Sequence, residues 1–205
     1  MTQKLNKTTV SPENPYFKSF EDKLIVRKSS IEKENFNEIV FSIRCIEKVD
    51  ISDSIERICP YSFFGCKNLQ IVEFSNKSKL RIIDKAAFQY SSIKNIQIPS
   101  SVTVIDENTF SCCYELRRVN ITADSKLQII DKEAFASTSI NDIIIQSQVT
   151  KIGKKSFESC GLLKKVEIEN GSQLLIIDKN AFNLVKLESF TILSKLIEFN
   201  DEHRF

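Results

Sequence analysis

The nonapeptide LRIIDKAAF at residues 80–88 returns almost unchanged at residues 127–135 and 174–182, as LQIIDKEAF and LLIIDKNAF. Related segments occupy residues 55–63, 102–110 and 149–157. The last phenylalanine of each copy lies at position 63, 88, 110, 135, 157 or 182, so steps of 25 and 22 residues alternate and each pair spans 47. Because self-similarity at a fixed period is the signature of repeat architectures, the repeat governs every later interpretation.

The aligned copies share columns of side chains. Each copy opens on an aliphatic residue, has an isoleucine three residues later, and places a small residue before the phenylalanine. A second apolar group of the type L-x-x-V-x-I follows, which predicts a short strand with one buried face. One such strand in every 22–25 residues, always in the same register, predicts parallel strands stacked along an axis. Because a single coil has too little core, we expect like side chains to stack in successive coils.

A turn is expected where each copy passes from its isoleucine to its phenylalanine. The residue after the isoleucine is Asp84, Asp106, Asp131, Gly153 or Asp178 in five copies. Asp and Gly are good N-cap residues, so the pattern predicts a short helical turn. A row of aspartates is also compatible with calcium, but the glycine-rich signature of calcium-binding β-helix repeats is absent. We therefore favour capping.

These columns resemble the BspA-like leucine-rich repeats, whose copies read like IPSSVTSIGxxAFxxCSSLxxI. Residues 98–110 are IPSSVTVIDENTF, residues 157–163 are FESCGLL, and the resemblance extends over about residues 46–196. It implies a leucine-rich-repeat solenoid: a curved right-handed coil with a parallel β-sheet on one face and, here, six full repeats of 22–25 residues. It also implies a surface antigen or adhesin, by analogy of fold.

The period divides the chain into four parts. We expect a loose polar arm over residues 1–20 and an N-terminal cap over 21–45, with strands near 24–26 and 39–43. The solenoid covers 46–196, and 197–205 form an incomplete last repeat and tail that stops one residue out of register. For that end we favour a truncated natural chain or weak end packing over dimerisation, and expect a monomer.

Composition excludes some partners and leaves the location open. The 29 basic and 27 acidic residues give a net charge of +2, which lacks the excess of positive charge typical of nucleic-acid-binding proteins. No run of 18 apolar residues exists, so we expect no membrane insertion. The resemblance implies a cell-surface or extracellular location. No apolar signal-peptide segment follows Met1, so a cytoplasmic scaffold for protein–protein interaction is the alternative.

Few residues are suited to chemistry, so we expect neither an enzyme nor a cofactor. The only histidine is His203, near the end of the tail, and no phosphate-binding or metal motif is present. Cys66, Cys113 and Cys160 recur every 47 residues. Coils two steps apart lie about 9.6 Å from each other, beyond the roughly 7 Å that a disulfide spans, so we expect buried, reduced thiols. Cys112 lies outside this column and is expected to be more exposed.

The candidate binding surface consists of the side chains between the buried positions of each strand, which face outward in rows. Six strands would form a surface roughly 25–30 Å long, suited to a protein partner, either a host protein or another copy of the chain. An ordinary solvated sheet is the alternative, and the sequons at Asn6, Asn76, Asn120 and Asn170 are taken as chance. The first row is Ile71, Asn95, Arg118, Asp142, Lys165 and Ser189, the second is Glu73, Gln97, Asn120, Ile144, Glu167 and Thr191, and the third is Ser75, Pro99, Thr122, Gln146, Glu169 and Leu193.

Overall fold

The structure, a computed structural model, describes residues 5–30, 32–178, 180–192 and 198–199. Within them the chain forms strands and turns and no helix. Each coil contributes one strand of four residues and one strand of two residues, and the two kinds of strand belong to different parallel sheets, which form different walls of the coil. The four-residue strands are β4 (Lys48–Ile51), β6 (Ile71–Phe74), β8 (Asn95–Ile98), β10 (Arg118–Ile121), β12 (Asp142–Ile145), β14 (Lys165–Ile168) and β16 (Ser189–Ile192). The two-residue strands are β5 (Arg57–Ile58), β7 (Ile82–Ile83), β9 (Val104–Ile105), β11 (Ile129–Ile130), β13 (Lys151–Ile152), β15 (Ile176–Ile177) and β17 (Glu198–Phe199).

The chain is therefore a solenoid of stacked parallel strands, as the sequence predicts. The two-residue strands pair in parallel from β5 to β17, and each recurring isoleucine lies opposite the next, as Ile83 does opposite Ile105. The pairing of β15 with β17 continues the wall into a seventh coil. Leu193 and the tail residues 200–205, including His203, lie outside the described residues.

The recurring phenylalanines form a single stack through the core. Phe63, Phe88, Phe110, Phe135 and Phe157 are fully buried. From Phe63 to Phe182, ring centroids in successive coils lie 4.9, 5.4, 5.3, 5.4 and 5.2 Å apart, and the interplanar angles do not exceed 12°. Burying each ring contributes roughly 1.5–3 kcal/mol, so the stack stabilises every coil from Phe63 to Phe182.

Besides the two sets of strands, a third set of backbone hydrogen bonds joins successive coils at the phenylalanines. The N–H of Phe88 donates to the carbonyl of Thr109 at 2.9 Å, and the N–H of Phe110 donates to the carbonyl of Ala134 at 2.8 Å. The acceptor is always the small residue that precedes the next phenylalanine, which explains the small column: the backbone of one coil passes directly over it. Where the four-residue strands also pair, a coil is thus bonded to the next on three sides.

The short helical turns predicted before each phenylalanine are not formed. The residues two before and two after each phenylalanine have positive φ, as at Asn108 (58°) and Cys112 (58°) around Phe110. A helix cannot pass through left-handed residues, and their N–H groups instead donate to the next coil. The aspartates therefore cap no helix. Asp106 accepts the N–H of Glu107, and Asp84 pairs with Arg57, whose Nη2 lies 2.9 Å from Asp84 Oδ1.

The N-terminal segment covers the first coil with antiparallel strands. β1 (Phe17–Phe20) pairs with β2 (Leu24–Arg27), β2 pairs with β3 (Glu38–Ser42), and β3 continues in parallel onto β5. Leu24, Val26 and Ile39 are buried and belong to the solenoid core. Residues 17–20, which we expected in a loose arm, thus form a strand, because their backbone groups pair with β2.

Gly153 lies against the backbone of the preceding coil, and we expect Gly153→Ala to destabilise the chain. A Cβ there would lie 2.7 Å from the carbonyl carbon of Asp131 and from the N of Lys132. Since neither atom is on a flexible side chain, the substitution should cost about 1–3 kcal/mol in urea unfolding. Gly161→Ala is the matched control, because its Cβ would meet nothing within 4 Å. Equal midpoints for the two variants would contradict the close approach.

Candidate functional site

The candidate surface is the outward face of the four-residue strands. The first and third residues of these strands are exposed from β6 to β12, and in β14 Lys165 is exposed and Glu167 half-buried. Gln146 of the third row is buried, because its Nε2 donates to the carbonyl of Ile121 at 3.0 Å. The first two rows are therefore available to a partner. They contain the ten candidate residues Ile71, Asn95, Arg118, Asp142, Lys165, Glu73, Gln97, Asn120, Ile144 and Glu167.

Two interruptions divide this face into blocks. β4 pairs with β6, β8 with β10, and β12 with β14 and β16, but no strand pairing joins β6 to β8 or β10 to β12. At these two boundaries, which we call the seams, the N–H of Lys94 lies 3.4 Å from the carbonyl of Gln70, and that of Asn141 lies 3.4 Å from the carbonyl of Arg117. The corresponding distance at a paired boundary, from Arg117 N to Lys94 O, is 2.8 Å.

The seam between β10 and β12 opens into a groove of about 370 Å³. This central groove is lined by seven residues of the two strands: Arg118, Val119, Asn120, Ile121, Asp142, Ile143 and Ile144. Val119 is half-buried, whereas the corresponding Ile96 and Ile143 are 3% and 2% exposed. Ile144 is 46% exposed. The groove therefore offers aliphatic surface between a cation and a carboxylate.

The seam between β6 and β8 opens into a more polar groove of about 480 Å³. Glu73 on its wall is already paired with Lys48 at 3.0 Å. Thr122 and Ser100 donate to Asp124 and lower its pKa. Most of its charged groups are thus satisfied within the chain, so it offers a partner less than the central groove does.

Ion pairs neutralise the charged side chains near both ends of the candidate face, at Lys48–Glu73 and Lys165–Glu167, but not at Arg118 in its middle. Lys165 pairs with Glu167 at 2.7 Å, and this carboxylate raises the pKa of Lys165. Arg118, in contrast, makes no side-chain hydrogen bond or ion pair with any described residue. Arg118 is exposed beside the central groove, where its guanidinium can donate hydrogen bonds to a partner.

Comparison with known proteins fixes the family. A profile described as BspA type leucine rich repeat region (6 copies) matches residues 29–162 and 81–203. The chain belongs to the BspA-type leucine-rich repeat family. A search of curated proteins found no match.

Solved structures share the fold of this BspA-type chain. The pneumococcal vaccine antigen PcpA is 24% identical over 77% of this chain and 40% of its own, with a TM-score of 0.63. A leucine-rich repeat protein from Eubacterium ventriosum is 14% identical over 97% of this chain and 55% of its own, with a TM-score of 0.67. A leucine rich cell surface protein from Faecalibacterium prausnitzii is 18% identical over 94% of this chain, with a TM-score of 0.51. The chain thus spans about two fifths of PcpA and just over half of the Eubacterium protein.

Two kinds of feature were not found among the described residues of this BspA-type chain: a metal-binding cluster and a membrane-spanning helix. No group of three or more His, Cys, Asp or Glu there is arranged so that it could hold a metal ion. No helix in that part of the chain has the length and apolar character needed to cross a membrane. Leucine-rich repeats of this family typically serve as non-enzymatic scaffolds.

The recurring thiols are structural, as the sequence predicts. Cys66, Cys113 and Cys160 are buried and free. Their sulfurs lie 3.2–3.3 Å from the hydroxyls of Ser42, Ser91 and Thr138, one coil earlier. Thiols and hydroxyls therefore alternate along one column from Ser42 to Cys160. Cys112 is half-buried and lies beside the hydroxyls of Tyr90 and Tyr114, raising the pKa of both phenols.

Sequence reasoning missed two surface features. Tyr61, Phe64 and Tyr90 form an aromatic ridge on the turns, with ring centroids 5.9 and 5.6 Å apart. Lys94 and Arg117 lie one residue before their strands and are exposed, although the outward rows did not include them. Each feature had a signal in the aligned repeats. The ridge corresponds to aromatic residues near the recurring phenylalanine, and the two cations correspond to polar residues directly before V-x-I.

Burial raises the pKa of Cys113 from 9.0 to about 12, so its thiol should make stability fall at alkaline pH. Below about pH 9 the thiol is neutral in both states, and above it only the unfolded chain ionises. Between about pH 8 and about pH 10 the chain should lose about 1 kcal/mol more unfolding free energy than Cys113→Ala does. Guanidinium unfolding at both pH values measures this difference, and equal losses would refute it.

Proposed function

We propose that the chain is a non-enzymatic protein-binding or adhesion module whose partner docks on the outward face of the four-residue strands. The observation that carries this proposal is the pair of exposed side-chain rows on a backbone fixed by hydrogen bonds between coils. Such a surface loses little conformational entropy on binding, because its backbone is ordered before the partner arrives. Repeat solenoids use extended faces of this kind for binding.

We further propose that the module is part of a surface-antigen-type protein. This rests on analogy with two solved structures, one named a vaccine antigen and one a cell surface protein. The matching regions cover 40% and 78% of those chains. The proposal therefore concerns the repeat module, which a longer protein would present.

An intracellular scaffold is the second candidate, and the cysteines favour it. All six are free, and four of them are buried without forming a disulfide. Reduced thiols of this kind are usual in proteins of reducing compartments. The same binding face would then serve a cytosolic partner.

Site-specific photo-cross-linking tests the binding face. A benzoylphenylalanine at Asn95, which is exposed on β8, should give a discrete protein adduct after irradiation of the cells that make the chain. The same group at Lys154, exposed on a turn away from the four-residue strands, is the control. No adduct from Asn95, or the same adducts from both positions, would contradict the proposal.

The same cells distinguish the two locations. If the module is at the surface, protease added to intact cells should degrade the adduct. If it is an intracellular scaffold, the adduct should survive until the cells are lysed.

A further inference from the structure

Three cations lie next to one another on two neighbouring coils, and one of them, Arg118, lines the central groove. Lys94 and Arg117 occupy the same position in adjacent coils, where the N–H of Arg117 donates to the carbonyl of Lys94 at 2.8 Å. Arg118 follows Arg117 and lines the groove. We call these three residues the basic patch. All are exposed, and none makes a side-chain hydrogen bond or ion pair with any described residue.

This arrangement is unfavourable for the isolated chain. Like charges opposite each other on neighbouring strands repel, whereas opposite charges stabilise. Elsewhere on the same face the chain uses opposite charges: Lys48 pairs with Glu73 at 3.0 Å and Lys164 with Glu188 at 2.6 Å. The basic patch lacks that compensation, so an anionic partner would remove an existing repulsion as well as form new ion pairs.

The groove adds an apolar requirement. Val119 and Ile144 present aliphatic surface within the groove, next to the basic patch. Asn120, which follows Val119 on β10, is exposed, and its amide can bond a peptide backbone. The groove runs between two strands of four residues, which suits an extended segment of similar length.

We propose that the central groove binds an extended, acidic segment of a partner protein. Its carboxylates pair with Lys94, Arg117 and Arg118, and an aliphatic side chain packs on Val119 and Ile144. This inference rests on the proposed function and names the chemistry of its partner. A polypeptide fits better than a nucleic acid or sulfated polysaccharide, because Asp142 on the opposite wall would repel a continuous polyanion and the aliphatic pair would have no counterpart.

A phage-displayed library of random octapeptides tests the chemistry without a known partner. Selection on the intact chain should enrich peptides that carry Asp or Glu together with Leu, Ile or Val. Selection on Arg118→Glu should lose this enrichment, and selection on Lys154→Glu, the same charge change on a turn, should retain it. Enrichment of basic or neutral peptides, or of none, would overturn the proposal.

Fluorescence anisotropy with the most enriched peptide then measures each contribution. Arg118→Glu should weaken binding at least about tenfold, Ile144→Ser roughly three- to tenfold, and Lys154→Glu less than about twofold. Thermal unfolding checks that all variants fold. Equal losses for Arg118→Glu and Lys154→Glu would contradict the site. Heparin binding as tightly as the peptide, with Ile144→Ser unaffected, would replace it with a polyanion site.

Competition separates this inference from the proposed function. Excess enriched peptide, added to a lysate of the cells before irradiation, should abolish the cross-linked adduct formed from Asn95. An adduct that persists in excess peptide leaves the binding face standing and refutes the acidic groove. Absence of both adduct and enrichment refutes both.

Discussion

The fold depends on the contact between identical phenylalanine rings in successive coils. Rings 4.9–5.4 Å apart and nearly parallel require that each coil repeat the position of the last within a fraction of an ångström. The small residue before each ring then accepts a hydrogen bond from the preceding coil, as Ala134 does from Phe110. Because ring, small residue and backbone bond recur together, stability grows by nearest-neighbour contacts rather than around one central core.

This regularity separates stability from recognition. The positions that face inward are fixed by stacking, whereas the outward positions vary freely from one coil to the next, from Asn95 to Arg118 to Asp142. A binding surface can therefore change without altering the core. The seams show the limit of this freedom, because where strand pairing is interrupted the surface acquires depth, and an aliphatic side chain such as Val119 becomes accessible.

The sequence was enough to predict the parallel coils, the phenylalanine stack, the buried thiols and the outward rows, since each follows from a column of like residues. It predicted helical turns wrongly, because the left-handed positions hold residues such as Tyr61, Lys155 and Leu184, which carry no glycine signature. The seams were also beyond it. At both seams, the second coil has one residue fewer between its phenylalanine and its four-residue strand than the first coil has. The same difference separates β14 from β16, yet those two strands pair, so the difference alone does not predict a seam. The lack of an ion pair at Arg118 depends on which side chains reach it in three dimensions, and the alignment of the repeats does not predict those contacts.

A double-mutant cycle on the stacked rings tests the central contact most directly. Phe88 and Phe110 lie in adjacent coils with ring centroids 5.4 Å apart, whereas Phe88 and Phe157 lie three coils apart. The unfolding free energies of the leucine variants, single and double, should show a coupling of about 0.5–1.5 kcal/mol for the adjacent pair. The distant pair should be additive to within about 0.5 kcal/mol. Additive losses for Phe88 and Phe110, or equal coupling for both pairs, would contradict a fold built on stacked rings.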